Sequence, residues 1–228
     1  MITNDIFVSF LHCNRKAFLR TAGVPGRPTE IELVLLDLGQ TYRRQALQAF
    51  LSCYDAQDVS NDPVFLDQPL KSRAQVIVNA IASANGLSSL IHAVERVSGI
   101  DQCGLSIYVP VLFLLNETVW HVDKMLVAFN ALALASVQGI LPPFGKVIHG
   151  KTYKVLKCKI EPLVDEVRKL LAQIQAAQAE GAMAPRVCLN RHCNSCEYQA
   201  DCQRLAGRAP TFRRRRPSLP LRAGVNKS

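Results

Sequence analysis

The stretch Cys188-Leu-Asn-Arg-His-Cys193-Asn-Ser-Cys196-Glu-Tyr-Gln-Ala-Asp-Cys202 holds four of the eight cysteines of this chain within fifteen residues. Two residues separate Cys193 from Cys196, and this spacing lets a single turn aim two thiolates at one metal. Cys202 follows six residues after Cys196 and can close over the same metal. The pattern therefore predicts a metal or iron–sulfur site. The sequence starts without a recognisable signal peptide, so we expect a protein that stays in a reducing compartment, which argues against a disulfide knot.

The spacing alone leaves the ligand set open. A local set of Cys188, Cys193, Cys196 and Cys202 has the C-x4-C-x2-C spacing that plant-type ferredoxins also show. A second set omits Cys188 and takes a distant cysteine, Cys13, instead. His192 adjoins Cys193, so a zinc site with three cysteines and one histidine is a further alternative.

Two segments near the chain ends carry a resemblance to a known family. The segment Phe10-Leu-His-Cys13-Asn-Arg-Lys-Ala-Phe-Leu-Arg20 is similar to the opening of RecB-like nucleases of the iron–sulfur subgroup, which includes the four-cysteine CRISPR-associated exonucleases. The run Leu189-Asn-Arg-His-Cys-Asn-Ser-Cys-Glu-Tyr-Gln199, followed by Cys202, resembles the closing motif of the same subgroup. Together the two motifs bracket nearly the whole chain.

This resemblance implies a fold, a cofactor and an activity. The fold is the restriction-endonuclease-like core of the PD-(D/E)XK superfamily, an α/β architecture in which a small mixed sheet is flanked by helices. The cofactor is a [4Fe–4S] cluster that joins the chain ends through Cys13, Cys193, Cys196 and Cys202, with Cys188 in reserve and zinc as the alternative metal. The implied activity is hydrolysis of DNA phosphodiesters with Mg²⁺ or Mn²⁺.

Composition predicts one domain and a basic tail. The 228 residues are 49% hydrophobic, enough for a sizeable core, and no apolar run approaches the roughly twenty residues of a membrane span. We therefore expect a soluble, cytoplasmic protein. The net charge of +9 includes eight basic and no acidic residues after Cys202, which leaves +1 for residues 1–202. We predict a folded domain over residues 1–206 and a disordered tail over residues 207–228. Whether this tail binds phosphates or is the end of a truncated chain stays open.

Periodicity predicts helices and strands in mixed order. Helices are expected from Asn4 to Cys13, from Asn14 to Gly23, over 29–53, over 119–138 and over 162–181. Strands are expected over 89–97 and 106–115, with a hairpin formed by 146–149 and 152–160. Residues 55–70 favour a loop, and residues 71–84 fit either a helix or a strand.

The catalytic pattern that the resemblance implies is largely missing. Glu95 stands where the first metal-binding acid belongs, and the alternative is a structural carboxylate at a sheet edge that pairs with Arg96 or a lysine. The next strand, Ile107 to Leu115, contains no acid-x-lysine motif. Arg43 occupies the position of the expected metal-binding histidine, and Leu126 and Asn130 occupy those of the expected glutamine and tyrosine. We therefore predict a weak nuclease at best, or a non-catalytic nucleic-acid-binding or scaffold domain of the same fold.

Overall fold

A computed structural model describes residues 1–61, 74–97, 107–179 and 183–208 of the chain. Within these ranges, no helix is long and apolar enough to cross a membrane. Most of the predicted tail, residues 209–228, lies outside the described residues. The predicted domain boundary after residue 206 falls inside the last helix, which continues to Arg208.

The described residues form six α-helices and seven strands. The helices are α1 (Asn4–His12), α2 (Asn14–Thr21), α3 (Glu30–Leu51), α4 (His121–Gln138), α5 (Glu161–Ala177) and α6 (Gln199–Arg208). The strands are β1 (Ile2–Thr3), β2 (Val59–Ser60), β3 (Val76–Ala84), β4 (Leu87–Val97), β5 (Ile107–Leu114), β6 (Phe144–His149) and β7 (Lys154–Lys159).

All seven strands belong to one mixed sheet. Its order is β2-β3-β4-β5-β6-β7, and β1 adds in parallel to part of β4. The pairs β3–β4, β4–β5 and β6–β7 are antiparallel, whereas β2–β3 and β5–β6 are parallel. The parallel pair β5–β6 requires a crossover, and α4 supplies it. The expected α/β class with a mixed sheet and flanking helices is confirmed.

Helices cover both faces of the sheet. The larger apolar cluster includes α4 with α1 and α5, where Phe7 and Phe129 stack at 4.7 Å between ring centroids. The smaller cluster lies under α3, where Tyr42 and Ala46 contact Val111 and other strand residues. Because both sheet faces are buried, the central strand β5 is apolar along almost its whole length.

Local sequence signals account for the ends of several helices. The Thr3 side chain accepts a hydrogen bond from the Ile6 amide, and Thr29 does the same for Glu32, so each caps its helix. Gly139 ends α4 in the left-handed conformation with φ of 79°. The predicted helices and the hairpin are confirmed, with ends that coincide or are shifted by at most four residues. For the last of these helices, α5 ends at Ala177, before the expected end at Gly181, which lies outside the described residues.

Three strands, β1, β2 and β3, were not predicted as strands from the sequence. Residues 76–84, which fitted helix or strand, form β3 because they pair along β4. The predicted loop over 55–70 contains a 3₁₀ turn and the two-residue strand β2, and residues 62–70 lie outside the described residues. Two-residue strands such as β1 and β2 have too few side chains to show periodicity.

Pro110 is accommodated within the central strand. It pairs with Val94 of β4, and the pairing with β6 begins one residue later, at Val111. Gly145 of β6 permits the close approach, because an added Cβ would lie 3.2 Å from the Pro110 ring and closer still to Val127. A proline without an amide hydrogen is thereby tolerated in a buried strand.

Candidate functional site

The structure brings five cysteines from both ends of the chain to one cavity. This cavity has a volume of about 100 Å³ and lies between the α1–α2 junction and the C-terminal segment. Its sulfur- and imidazole-bearing lining residues are Cys13, Cys188, Cys193, Cys196, Cys202, His12 and His192. Cys13 is the single residue between α1 and α2, and its backbone is extended. Cys193 lies in a 3₁₀ helix, Arg191–Ser195. The predicted juxtaposition of distant cysteines is therefore present.

The thiols in this cavity are close enough to influence one another. Burial raises the pKa of Cys196, and the neighbouring Cys13 and Cys202 thiols raise it further against the effect of Lys16. Burial also raises the pKa of Cys202, where Cys13 and Cys193 act in the same direction and Arg15 opposes them. Cys13, Cys193, Cys196 and Cys202 thus form one electrostatically coupled set. Because the thiols are partly buried, their anionic form needs a nearby positive charge.

Basic and aromatic groups surround the thiols. Arg15 and Lys16 of α2 line the cavity. The His12 and His192 rings stack with centroids 4.2 Å apart, and burial together with His192 lowers the pKa of His12 to about 4. Burial also lowers the pKa of His192. Both imidazoles are therefore neutral near pH 7, and the positive charge that faces the thiols comes from the arginine and lysine side chains.

The described residues contain no group of three or more histidine, cysteine, aspartate or glutamate side chains already arranged to hold a metal ion. The five cysteines share a cavity, but they do not form a finished coordination site in this structure. Four soft sulfur donors nevertheless suit an iron–sulfur cluster or zinc. Metal binding would require the thiol side chains to move closer together.

Direct contacts also join the two ends of the chain. Arg20 Nε donates to Glu197 Oε1 at 2.6 Å, Asn190 Nδ2 donates to the His12 carbonyl at 3.1 Å, and Tyr198 Oη donates to the Val24 carbonyl at 2.8 Å. A Cβ on Gly26 would overlap Glu197, so this glycine permits the close packing. These contacts place Cys13 beside the C-terminal cysteines, and sequence reasoning did not identify them.

Glu95 lies in an interior strand and is paired with a lysine. It is 9% exposed and is flanked by Val76 of β3 and Val109 of β5. Lys146 Nζ, from β6, lies 2.7 Å from Glu95 Oε1. The Tyr54 hydroxyl also hydrogen bonds to Glu95, and its pKa is raised first by burial and then by this carboxylate. The lysine partner was anticipated as an alternative, whereas its position on β6 was not.

Arg43 and Asn130, which occupy positions expected for catalytic residues, form hydrogen bonds with neighbouring polar side chains. Arg43 Nη2 donates to Asn79 Oδ1 at 2.5 Å. Asn130 is buried, and its Oδ1 accepts hydrogen bonds from Asn4 Nδ2 and Ser89 Oγ, both at 2.9 Å. These polar groups connect helices to the sheet. Among the described residues, Glu95 belongs to no group of three or more histidine, cysteine, aspartate or glutamate side chains that could hold a metal ion.

The other cysteines do not share one environment. They were expected to be core residues. Cys158 is 6% exposed, in agreement with that expectation. Cys53 is exposed, so the expectation is wrong there, because it follows the end of α3 and not the apolar stripe of the helix. Cys103 lies outside the described residues.

Comparison with known proteins assigns no family to this chain. No protein-family model matches it, and no curated protein matches it either.

Proposed function

We propose that this chain is an iron–sulfur RecB-like domain of the nuclease class that binds DNA and has a degenerate catalytic centre. The observation that supports this proposal most is the convergence of Cys13 with four C-terminal cysteines on one cavity. The mixed sheet with helices on both faces is compatible with a restriction-endonuclease-like core. In this proposal Cys13, Cys193, Cys196 and Cys202 hold a [4Fe–4S] cluster, and Cys188 is not a ligand.

The four proposed ligands differ from Cys188 in their surroundings. Cys188 is exposed, whereas Cys196 is buried and Cys13, Cys193 and Cys202 are partly buried. Cys13 and Cys202 also raise the pKa of Cys196, and Cys13 and Cys193 raise that of Cys202, in each case after the effect of burial. A bound cluster would supply a covalent link between the chain ends. Arg15 and Lys16 would offset the negative charge of its thiolate ligands.

Metal analysis tests this ligand set. We expect the anaerobically purified protein to contain about four iron and four sulfide per chain, as a [4Fe–4S] cluster requires. Replacing Cys13 with serine should remove most of the iron, because it deletes the ligand supplied by the N-terminal segment. Cys188→Ser should leave the iron content unchanged. The measurement combines the visible absorption spectrum with iron, sulfide and zinc analysis.

Cys53→Ser is the matched control, since Cys53 is exposed and does not line the cavity. Colourless protein with about one zinc, unaffected by Cys13→Ser, would contradict the end-to-end cluster and indicate a local zinc site. Iron that is lost in Cys188→Ser but kept in Cys13→Ser would instead select the local cysteine set.

The polar environment of Glu95 supports the proposal that the catalytic centre is degenerate. Nucleases of the resembled class need two carboxylates and a lysine around Mg²⁺ or Mn²⁺. Here the Lys146 ammonium neutralises Glu95, so this carboxylate has less capacity to attract a metal cation. A non-catalytic role in binding DNA or in scaffolding a larger protein fits this arrangement better than rapid hydrolysis.

Nuclease assays provide the corresponding prediction. With Mg²⁺ or Mn²⁺, we expect at most slow degradation of single- and double-stranded DNA, and we expect Glu95→Gln to abolish it. The substitution keeps the size of the side chain while removing the metal-binding charge. Degradation of labelled DNA by equal amounts of metal-loaded wild-type and variant protein is measured by gel electrophoresis. Activity that survives Glu95→Gln would show that Glu95 is not the catalytic acid.

A further inference from the structure

A second cavity lies at the junction of the sheet with α1, α2 and α3. Its volume is about 400 Å³, and no cysteine in the described part of the chain lines it. The polar and charged residues in its lining are Thr3, Asn4, Asp5, Arg20, Arg43, Ser88 and His92. The cavity is therefore separate from the candidate metal centre, and its lining combines these residues with the apolar Val8, Leu90, Leu112 and Leu126.

The pairing of β3 with β4 is interrupted beside this cavity. Asn79 falls opposite His92 between two regular pairs, and it adopts a φ of 54°. In a regular strand, residues on the same face are separated by two positions. Here Ile77 and Ala80 of β3 belong to the same apolar cluster although they are three positions apart, and so do Ile91 and Val94 of β4. The side-chain alternation therefore shifts by one residue on both strands at this point. Such local irregularities redirect side chains. Here one of the redirected side chains is His92, which lines the cavity.

The hydrogen bonds of His92 establish its tautomer. The Phe113 backbone amide donates to His92 Nδ1 at 3.1 Å, so this nitrogen carries no proton. Burial, with a contribution from Arg43, lowers the pKa of His92 to about 3, and the ring is neutral near pH 7. The single ring proton must then reside on Nε2. Within the part of the chain that the structure describes, no acceptor contacts Nε2.

Arg43 has unused hydrogen-bond donors in the same cavity. Its contact with Asn79 occupies one of the five N–H groups of a guanidinium. No carboxylate forms an ion pair with Arg43 among the described residues, and burial alone lowers the pKa of this arginine. Partly buried arginines are usually paired with an anion, because removing a charge from water is costly.

The other charged residues that line the cavity do not provide an anionic partner for Arg43. Arg20 pairs with Glu197 and interacts electrostatically with Asp5, so its positive charge is balanced. The carboxylate in the described lining, Asp5, acts on Arg20, and it forms no ion pair with Arg43. Arg43 and the Nε2–H group of His92 are thus an unpaired cation and an unpaired donor on one cavity.

We propose that Arg43 and His92 form a binding site for a phosphate group in this cavity. The guanidinium supplies charge and two parallel donors, the geometry that phosphate oxygens accept, and the imidazole supplies a third, neutral donor. The phosphate belongs either to a nucleic-acid backbone or to a small phosphorylated molecule. The site uses none of the cysteines and does not depend on the metal centre.

Phosphate titrations on the metal-loaded protein test this site. We expect inorganic phosphate to shift the nitrogen resonance of His92 Nε2 with saturable dependence, as monitored by ¹⁵N NMR. Calorimetric affinity for phosphate should fall roughly tenfold to a hundredfold in Arg43→Gln, since a charge-assisted contact is lost. Arg44→Gln is the matched control, because Arg44 is the exposed neighbour on α3 and should change affinity by less than about twofold.

Two further arms identify the source of the phosphate. A short single-stranded oligonucleotide whose binding needs Arg43 and is displaced by inorganic phosphate would assign the site to a nucleic-acid backbone. Saturable binding of a deoxynucleoside monophosphate without oligonucleotide binding would assign it to a small phosphorylated molecule. Either result supports a phosphate site.

A more conservative variant and a stability check guard against misfolding. Arg43→Lys keeps the charge but removes the paired donors, so we expect an intermediate, severalfold loss of affinity. Thermal unfolding and iron content are measured on every variant. The proposal is overturned if phosphate leaves the His92 resonance unchanged, or if Arg43→Gln and Arg44→Gln bind phosphate equally. Iron content reports separately on the metal centre, so the two proposals can fail independently.

Discussion

Cys13→Ser, which should lose most of its iron, is expected to have a free energy of unfolding roughly 5 kcal/mol below that of the metal-loaded wild type. The reason is the separation of Cys13 from Cys193 by about 180 residues in sequence. A metal cross-link between them restricts the unfolded chain, and the loop-entropy relation for disulfides gives this magnitude if it also applies to a cluster. Chemical denaturation under anaerobic conditions, followed by far-UV circular dichroism, measures the change.

The metal-free proteins provide an internal control for this prediction. Without metal, wild-type protein and Cys13→Ser should differ by only about 1 kcal/mol, because the contacts of Arg20 with Glu197 and of Asn190 with His12 remain in both. Cys188→Ser should match the wild type in the metal-loaded state. The difference in stability between wild type and Cys13→Ser could instead be the same whether the proteins are prepared with or without metal. Packing, and not a cross-link, would then explain the role of Cys13.

Lys146→Met is expected to lower the free energy of unfolding by about 3 kcal/mol. Lys146 and Glu95 side chains are only 17% and 12% exposed, and the ammonium lies 2.7 Å from a carboxylate oxygen. Methionine fills a similar volume but leaves Glu95 as a buried charge without its cation. The stability is lost because an ionised carboxylate stays buried in apolar surroundings without a cation. Denaturant unfolding at neutral pH measures this loss.

A double variant separates charge from packing. Adding Glu95→Gln to Lys146→Met should restore most of the lost stability, because the remaining amide is neutral and can still bond to Tyr54. Asp201→Asn, which breaks the exposed pair of Asp201 with Arg204, is the surface control and should cost less than about 1 kcal/mol. If Lys146→Met costs no more than Asp201→Asn, the Glu95–Lys146 pair contributes little to stability.

The elements that sequence reasoning predicted well are those with a local physical cause. The helices α1, α3 and α4 have apolar residues at helical spacing and begin or end at residues with a clear capping role, such as Thr29 and Gly139. The strand β4 could be predicted from its alternation. Residues 76–84 were ambiguous, because a run of valine, isoleucine and alanine suits either structure until it pairs with another strand.

The candidate sites show the same division. Four clustered cysteines were visible in the sequence, and the resemblance predicted that Cys13 would join them. Lys146 was not identified, because a single lysine in a strand carries no local signal of its partner. Arg43 was singled out in the sequence, but its proximity to His92 was not predicted, because it depends on the packing of α3 against β3 and β4.

The sequence by itself determined the α/β class, most helix and strand positions, the basic tail and the cysteine-rich segment, because each arises from composition or from spacing over a few residues. Only the tertiary structure decided which distant groups meet: Cys13 with the C-terminal cysteines, Glu95 with Lys146, and Arg43 with His92 on one cavity. These contacts join residues separated by about 50 to 190 positions. They depend on strand order and helix packing, which no local pattern specifies.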